Sequence, residues 1–167
     1  MRLPTIVALA LAAGCGGAPE VEPEPAPWCW SAPRAAREAF PELDEAIELA
    51  SELWGLEPDG NASDCHVLSY GPIQTSHGGG FARSRRWGPL GPPTWAEIDL
   101  NSERRRFIVQ PSEVCFGPRV HLVQVLAHEF GHVLGIHDHT ETGVMRSPPE
   151  ACDDAAPTTA ERESVGL

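Results

Sequence analysis

Apolar and polar residues alternate most cleanly from Trp95 to Asn101, with Trp95, Glu97 and Asp99 on one side and Ala96, Ile98 and Leu100 on the other. A period of two marks a strand with one buried face. A different spacing runs from Glu42 to Trp54, where Leu43, Ala46, Ile47, Ala50, Leu53 and Trp54 recur at intervals of three and four with acids between them. That spacing predicts a helix, with Pro41 suited to its first turn and Gly55 to its stop. The most complete helical pattern is Arg119 to Leu134, which puts Val120, Val123, Ala127, Phe130 and Leu134 on the buried side. Cys65 to Ile73 reads as a strand, and Phe81-Ala82-Arg83, after Gly78-Gly79-Gly80, as another. Thr158, followed three residues later by Glu161, forms a capping box that opens a short final helix. Before the 42–54 helix no strand is evident, because Trp28 to Ser31 is short and bounded by prolines. These elements predict an α+β domain: a small mixed sheet, one long helix and a C-terminal helix.

The first residues follow another pattern. Arg2 precedes an apolar run, Ile6 to Ala13, too short to span a membrane as a mature helix. It ends in Leu11-Ala12-Ala13-Gly14-Cys15, which resembles the lipobox of bacterial lipoproteins, with Ala12 where that motif usually has Leu. The resemblance implies a signal peptide over residues 1–14, a lipid on Cys15, and an anchored protein of the bacterial cell envelope facing the periplasm or the cell surface. An ordinary secretory signal or a retained anchor are the alternatives, and all three place the domain outside the cytoplasm. Residues 15–27 then form a Pro/Glu-rich tether unable to bury a core. The folded domain is expected over residues 28–167.

Composition narrows the partners. Acidic residues outnumber basic ones 24 to 12 and the net charge is -12, which argues against a nucleic-acid partner. Gly 16 and Pro 17 in 167 residues indicate a loop-rich domain. The chain is read as a monomer. The runs Arg83/Arg85/Arg86 and Arg104-Arg105-Arg106 read as solvated loop residues, and Asn61-Ala62-Ser63, although it matches a glycosylation sequon, as a turn. Of five cysteines, assigning Cys15 to the lipid leaves Cys29, Cys65, Cys115 and Cys152. An even set in an exported domain suggests two disulfides. Three connectivities are open; Cys29–Cys65 with Cys115–Cys152 is the favoured one. A free Cys29 capping a metal is the alternative.

The candidate chemistry lies in the long helix. His128 and His132 are four residues apart, so their imidazoles leave one face a turn apart and can share a Zn²⁺ ion. Glu129 is rotated by one residue, which sets its carboxylate beside such an ion, where it can take a proton from water. Gly135 suits the helix stop. The plain alternative is an exposed helix that happens to carry two His and a Glu.

Ala127-His128-Glu129-Phe130-Gly131-His132-Val133-Leu134-Gly135 resembles the zinc-binding helix of the metzincin peptidases, in their matrixin branch. Gly143-Val144-Met145 resembles that clan's methionine turn, a hydrophobic floor beneath the metal. Gly80-Phe81-Ala82-Arg83 sits where the clan's substrate-pairing edge strand is expected, and Ala96-Glu97-Ile98-Asp99-Leu100 resembles the strand before the zinc helix. The likeness spans residues 36–167 and is specific only at 127–145. It implies a zincin fold and a zinc-dependent endopeptidase acting on proteins or peptides. His128 and His132 would be the first two ligands, Glu129 the general base and Met145 the floor. Ca²⁺ is carried by many relatives, but no loop here shows an ordered run of oxygen ligands.

The chain departs from the matrixin pattern at the third ligand. Three residues after Gly135, where matrixins carry His, stands Asp138, flanked by His137 and His139. Snapalysin-like peptidases use Asp at this position, and the resemblance makes Asp138 the expected third ligand. A slipped loop would offer His139 instead, and His137 is the remaining option. Arg146 follows Met145 where relatives often have Tyr, so no Tyr stands there to stabilise an oxyanion. A second class of function stays open: a non-catalytic, zinc-stabilised lipoprotein that binds peptides or a partner.

Overall fold

In the computed structural model, β4 (Trp95–Asn101) is an interior strand, which accounts for its clean alternation: Ala96, Ile98 and Leu100 are wholly buried on one face. Glu97 and Asp99 take the other face, opposite Arg85 and Arg83 of the neighbouring strand. The structure describes residues 27–59, 65–73, 80–87, 93 and 95–167. The expected signal segment, the lipid-bearing Cys15, the tether as far as Ala26, the turn at Asn61-Ala62-Ser63 and the glycines Gly78 and Gly79 lie outside the described residues.

Chain order is β1 (Trp30–Ser31), α1 (Arg34–Ala39), α2 (Leu43–Trp54), β2 (His66–Gly71), β3 (Ala82–Trp87) and β4. A 3-10 helix (Ser102–Phe107), β5 (Ile108–Val109), β6 (Val120–His121), α3 (Leu122–Leu134) and α4 (Thr159–Ser164) complete it. The main sheet has the order β1-β2-β4-β3, with β1, β2 and β4 parallel and β3 antiparallel on the edge. The fold is therefore α+β with a small mixed sheet. The predicted helix ending at Gly55 and the capping box at Thr158 and Glu161 are both present.

Three features differ from the sequence reading. A first strand exists, but it is two residues long and pairs with β2 at Trp30↔His66 and Ser31↔Val67. Its position is held from outside the strand: Cys29 and Cys65, the residues just before β1 and β2, form a disulfide with Cα atoms 4.8 Å apart. The long helix starts at Leu122 rather than Arg119, because Val120 and His121 pair in parallel with Ile108 and Val109. The arginine runs are not loop residues. Arg83 and Arg85 stand on β3 and reach Asp99 at 2.7 and 3.2 Å, while Arg105 donates to the Ala39 and Ile108 carbonyls and covers the Phe40 ring. Arg83 and Arg85 are nearly half exposed, so their pairs fix strand register more than they add stability.

The core lies between the sheet and the pair α2–α3. Trp54 is fully buried and donates its indole N–H to the Ala127 carbonyl at 2.8 Å, joining the two helices without leaving a polar atom unpaired. On the β1 side, Trp30 stacks on Phe130 and Trp28 meets the same ring edge-on. His66 is enclosed by these indoles, wholly buried, with neither ring nitrogen hydrogen-bonded. Burial pushes its imidazole down from 6.5 to about 4.

The folded state therefore binds the His66 proton more weakly than the unfolded chain. Stability contributed by neutral His66 is complete above pH 6.5 and is lost as pH falls toward 4. The loss approaches on the order of 3 kcal/mol below that range. A His66→Phe variant, followed by thermal unfolding from pH 7 to 4, is expected to lose less stability than wild type. Equal slopes for the two proteins would contradict this account.

Candidate metal centre

Leu122–Leu134 is helical because its apolar residues cover most of its circumference: Leu122, Leu126, Phe130, Val133 and Leu134 are all buried. The helix ends where Gly135 takes φ 116°. There the Ile136 N–H donates to the Gly131 carbonyl at 3.0 Å and the Gly135 N–H to that of His132 at 3.1 Å. This paired closure stops the helix and turns the chain back across its own end. His128 and His132 stand four residues apart on one side, half-buried, with ring centroids 4.8 Å apart.

Each ring is oriented by the nitrogen facing away from its neighbours. His128 Nδ1 lies 2.9 Å from the Val144 carbonyl, and His132 Nδ1 lies 2.6 Å from that of Ile136. A carbonyl can only accept, so Nδ1 carries the hydrogen in both rings and Nε2 is left with its lone pair. Burial pushes His128 down to about 4 and also lowers His132, whose neighbours His139 and His137 act in the same direction. Both rings are thus held neutral, the form that binds a metal.

His128, His132 and His139 each offer a ligand atom, and these atoms lie within 4.8 Å of one another. Among the described residues no other trio of His, Cys, Asp or Glu converges in this way. The spread is wider than the roughly 3.4 Å expected between tetrahedral ligands of one ion. The exposed His139 ring already lies 5.2 Å, centroid to centroid, from each of the other two, so the three residues fit a metal ion.

Asp138, the expected third ligand, is not in this group; the alternative, His139, takes its place. The cause lies just beyond it. The Thr140 N–H donates to the Met145 carbonyl at 3.1 Å, and Thr140 forms a bridge with Arg146, which ties the chain after His139 to the turn beneath the rings. The chain bends at Asp138, which is left exposed, while the next residue, His139, is set against the rings of His128 and His132. His137 is exposed and lines the cleft in front of the rings.

Met145 is wholly buried under the helix. A Cβ on Gly131 would lie 2.1 Å from its sulfur and 2.9 Å from the Trp54 ring, so only glycine lets the turn approach this closely. The turn is held by Glu161, a buried carboxylate that accepts from the Met145 N–H and the Thr140 hydroxyl at 3.0 Å and from the Thr158 N–H at 2.6 Å. The capping box was legible in the sequence; this second duty of Glu161 was not. Gly143 takes φ 80°, and a side chain there would meet the same carboxylate.

Glu129 stands beside the trio, 6% exposed. Burial pushes its carboxyl up to about 7, against hydrogen bonds from the Ser84 side chain and backbone that favour the charged form. Ser84 belongs to the edge strand β3, so one contact joins the strand to the carboxylate; nothing in the sequence singled it out. The cleft between β3 and α3 has a volume of about 920 Å³ and is also lined by Gln124, Val125, Pro148 and Pro149. Cys29 is bonded to Cys65 and Cys115 to Cys152, as favoured, so Cys29 does not cap the site. The disulfides are compatible with an extracytoplasmic location, and no helix among the described residues is long and apolar enough to cross a membrane.

Scanned against protein-family models the sequence matches none, and a search of curated proteins returns no significant relative.

Two substitutions separate the third-ligand candidates. His139→Ala is expected to weaken Zn²⁺ binding by about a hundredfold or more, whereas Asp138→Ala should leave it within a few-fold, as read by competition with a chromogenic chelator. The reverse order would restore Asp138. Gly131→Ala should destabilise the protein by roughly 1–3 kcal/mol in denaturant unfolding, since Met145 and Trp54 must give way.

Proposed function

We propose that this chain is a zinc-dependent endopeptidase with a metzincin-like catalytic domain, exported and held at the cell envelope by a lipid on Cys15. The observation that carries the reading is Glu129: a carboxylate next to the three histidines but not among them, buried, and open to the same cleft. A site that merely held a metal for stability would have no use for a desolvated carboxylate there, which costs folding energy.

The roles follow from position. His128, His132 and His139 would hold the ion, and their borderline nitrogen donors suit zinc. Bound there, zinc would polarise the scissile carbonyl and acidify water. Glu129 takes the proton as water oxygen bonds to the carbonyl carbon, then returns it to the amine nitrogen as the C–N bond breaks. Ser84 keeps that carboxylate in place and turned toward the cleft. β3 lies on the sheet edge and lines the cleft, so an extended peptide can add to it backbone to backbone.

Purified protein loaded with zinc is expected to cut casein or an unstructured peptide internally. Glu129→Ala should lower the rate by roughly 10²–10⁴-fold while zinc still binds one per chain. If both proteins are inert with zinc bound at that ratio, a metal-stabilised binding protein is the better description. Stepwise trimming from one end would indicate an exopeptidase.

A further inference from the structure

Away from the metal centre, the described surface carries two concentrations of exposed apolar side chains. Trp87 and Trp95 cover part of one another across β3 and β4, with ring centroids 4.5 Å apart. The other lies between β5 and β6, where Val114 is 79% and Phe116 68% exposed, the highest values for large apolar side chains among the described residues. The chain here is built to keep them outside. Pro111 and Pro118 flank the tip, Gly117 turns it at φ 70°, and Cys115, between the two apolar residues, is bonded to Cys152. The tip therefore has little conformational freedom left to lose on binding.

Arg119 completes it. Its guanidinium lies 4.2 Å from the centre of the Phe116 ring and donates to the Phe116 and Val114 carbonyls at 3.2 and 3.4 Å. Its backbone N–H donates to the Gly117 carbonyl at 2.8 Å. One residue thus satisfies three carbonyls of the tip, while the N–H groups of Val114 and Phe116 bond to no described residue. A surface that meets this tip must take apolar side chains, sit well beside a cation and supply acceptors. The headgroup region of a phospholipid bilayer does all three, since its phosphate and ester oxygens lie directly above the acyl chains. We propose that the Val114–Phe116 tip docks on a zwitterionic bilayer, so that the domain meets the membrane at two points, the lipid on Cys15 and this tip. This rests on the lipid-anchored reading. Residues 16–26 separate Cys15 from the described chain and can span at most about 40 Å. That is roughly the width of a domain of this size, so the bilayer stays within reach of it. The net charge of -12 disfavours anionic headgroups and leaves zwitterionic ones. Two apolar side chains bind a bilayer weakly by themselves, and the tether supplies the effective concentration that makes a weak contact sufficient.

Hydrogen exchange read peptide by peptide tests this on the lipidated chain in phosphatidylcholine vesicles, with the unlipidated Cys15→Ser chain in buffer as reference. The 111–119 segment should exchange about threefold or more slower on the vesicles, while the α2 segment exchanges equally in both. A Val114→Glu/Phe116→Glu variant should stay on the vesicles through its lipid and lose that slowing. Both side chains are exposed, so its thermal unfolding should match wild type. Equal exchange of 111–119 with and without the bilayer overturns the proposal and leaves the anchor standing. Slowing that appears in buffer and grows with protein concentration marks a contact between copies of the chain, and overturns it as well. A mature chain whose mass shows no acyl group on Cys15, and which does not sediment with the vesicles, removes anchor and proposal together.

Discussion

The approach of Met145 to Gly131 is the contact on which the rest of the site depends. A helix that carries two histidines on one face needs them held from beneath, and here the support comes within a distance that forbids even a methyl group on Gly131. Three things follow from that proximity. The Val144 carbonyl, one residue before Met145, reaches His128 and fixes its tautomer. The Met145 carbonyl captures Thr140, which places His139. Trp54 fills the space beside the sulfur, so the packing of α2 is set by the same contact. Because close-packed interiors transmit displacement, a change at Gly131 would reach all three together.

The electrostatics of the site are arranged by burial. Desolvation disfavours charge on any group, so it keeps His128 and His132 neutral and raises Glu129. Both effects fit the proposed chemistry, in which a cation is bound and a proton moved near neutral pH. Ser84 opposes the shift at Glu129 and keeps the carboxylate from being silenced by its surroundings. The hydrogen bonds that hold the site come largely from backbone carbonyls and from one carboxylate, Glu161, that reaches across from the C-terminal helix.

What was legible in the sequence was local. The Trp95–Asn101 strand, the helix ending at Gly55 and the Thr158 cap rest on periodicity and neighbouring residues, and the structure has them where the pattern puts them. His128, Glu129 and His132 were legible for the same reason, since helical spacing alone brings them together. β1 was not, because two residues carry no period and its place is set by a disulfide to a cysteine 36 residues away. The choice between Asp138 and His139 turned on a bond from Thr140 to Met145, which no spacing rule contains. Gly131 carries no signal of its own in the helical spacing; its meaning appears only with Met145 and Trp54, which pack against it.

The second disulfide shows how such non-local dependence is held in a small, loop-rich domain. Cys115 and Cys152 enclose a stretch of sequence separation 37 that contains α3, His139, the Met145 turn and Pro148 and Pro149. Closing a loop of that length removes unfolded-state entropy worth roughly 4 kcal/mol. The Cys152 N–H adds a bond to the Arg119 carbonyl at 2.8 Å, just before the helix begins. Every trio ligand and the floor beneath them thus lie within one covalent ring, while Ser84 and Glu161 enter it from either side. The ring limits how far the exposed segment from His137 to Thr140 can stray. Within it, the glycine–methionine contact can set the position of the third histidine without a buried core around that residue.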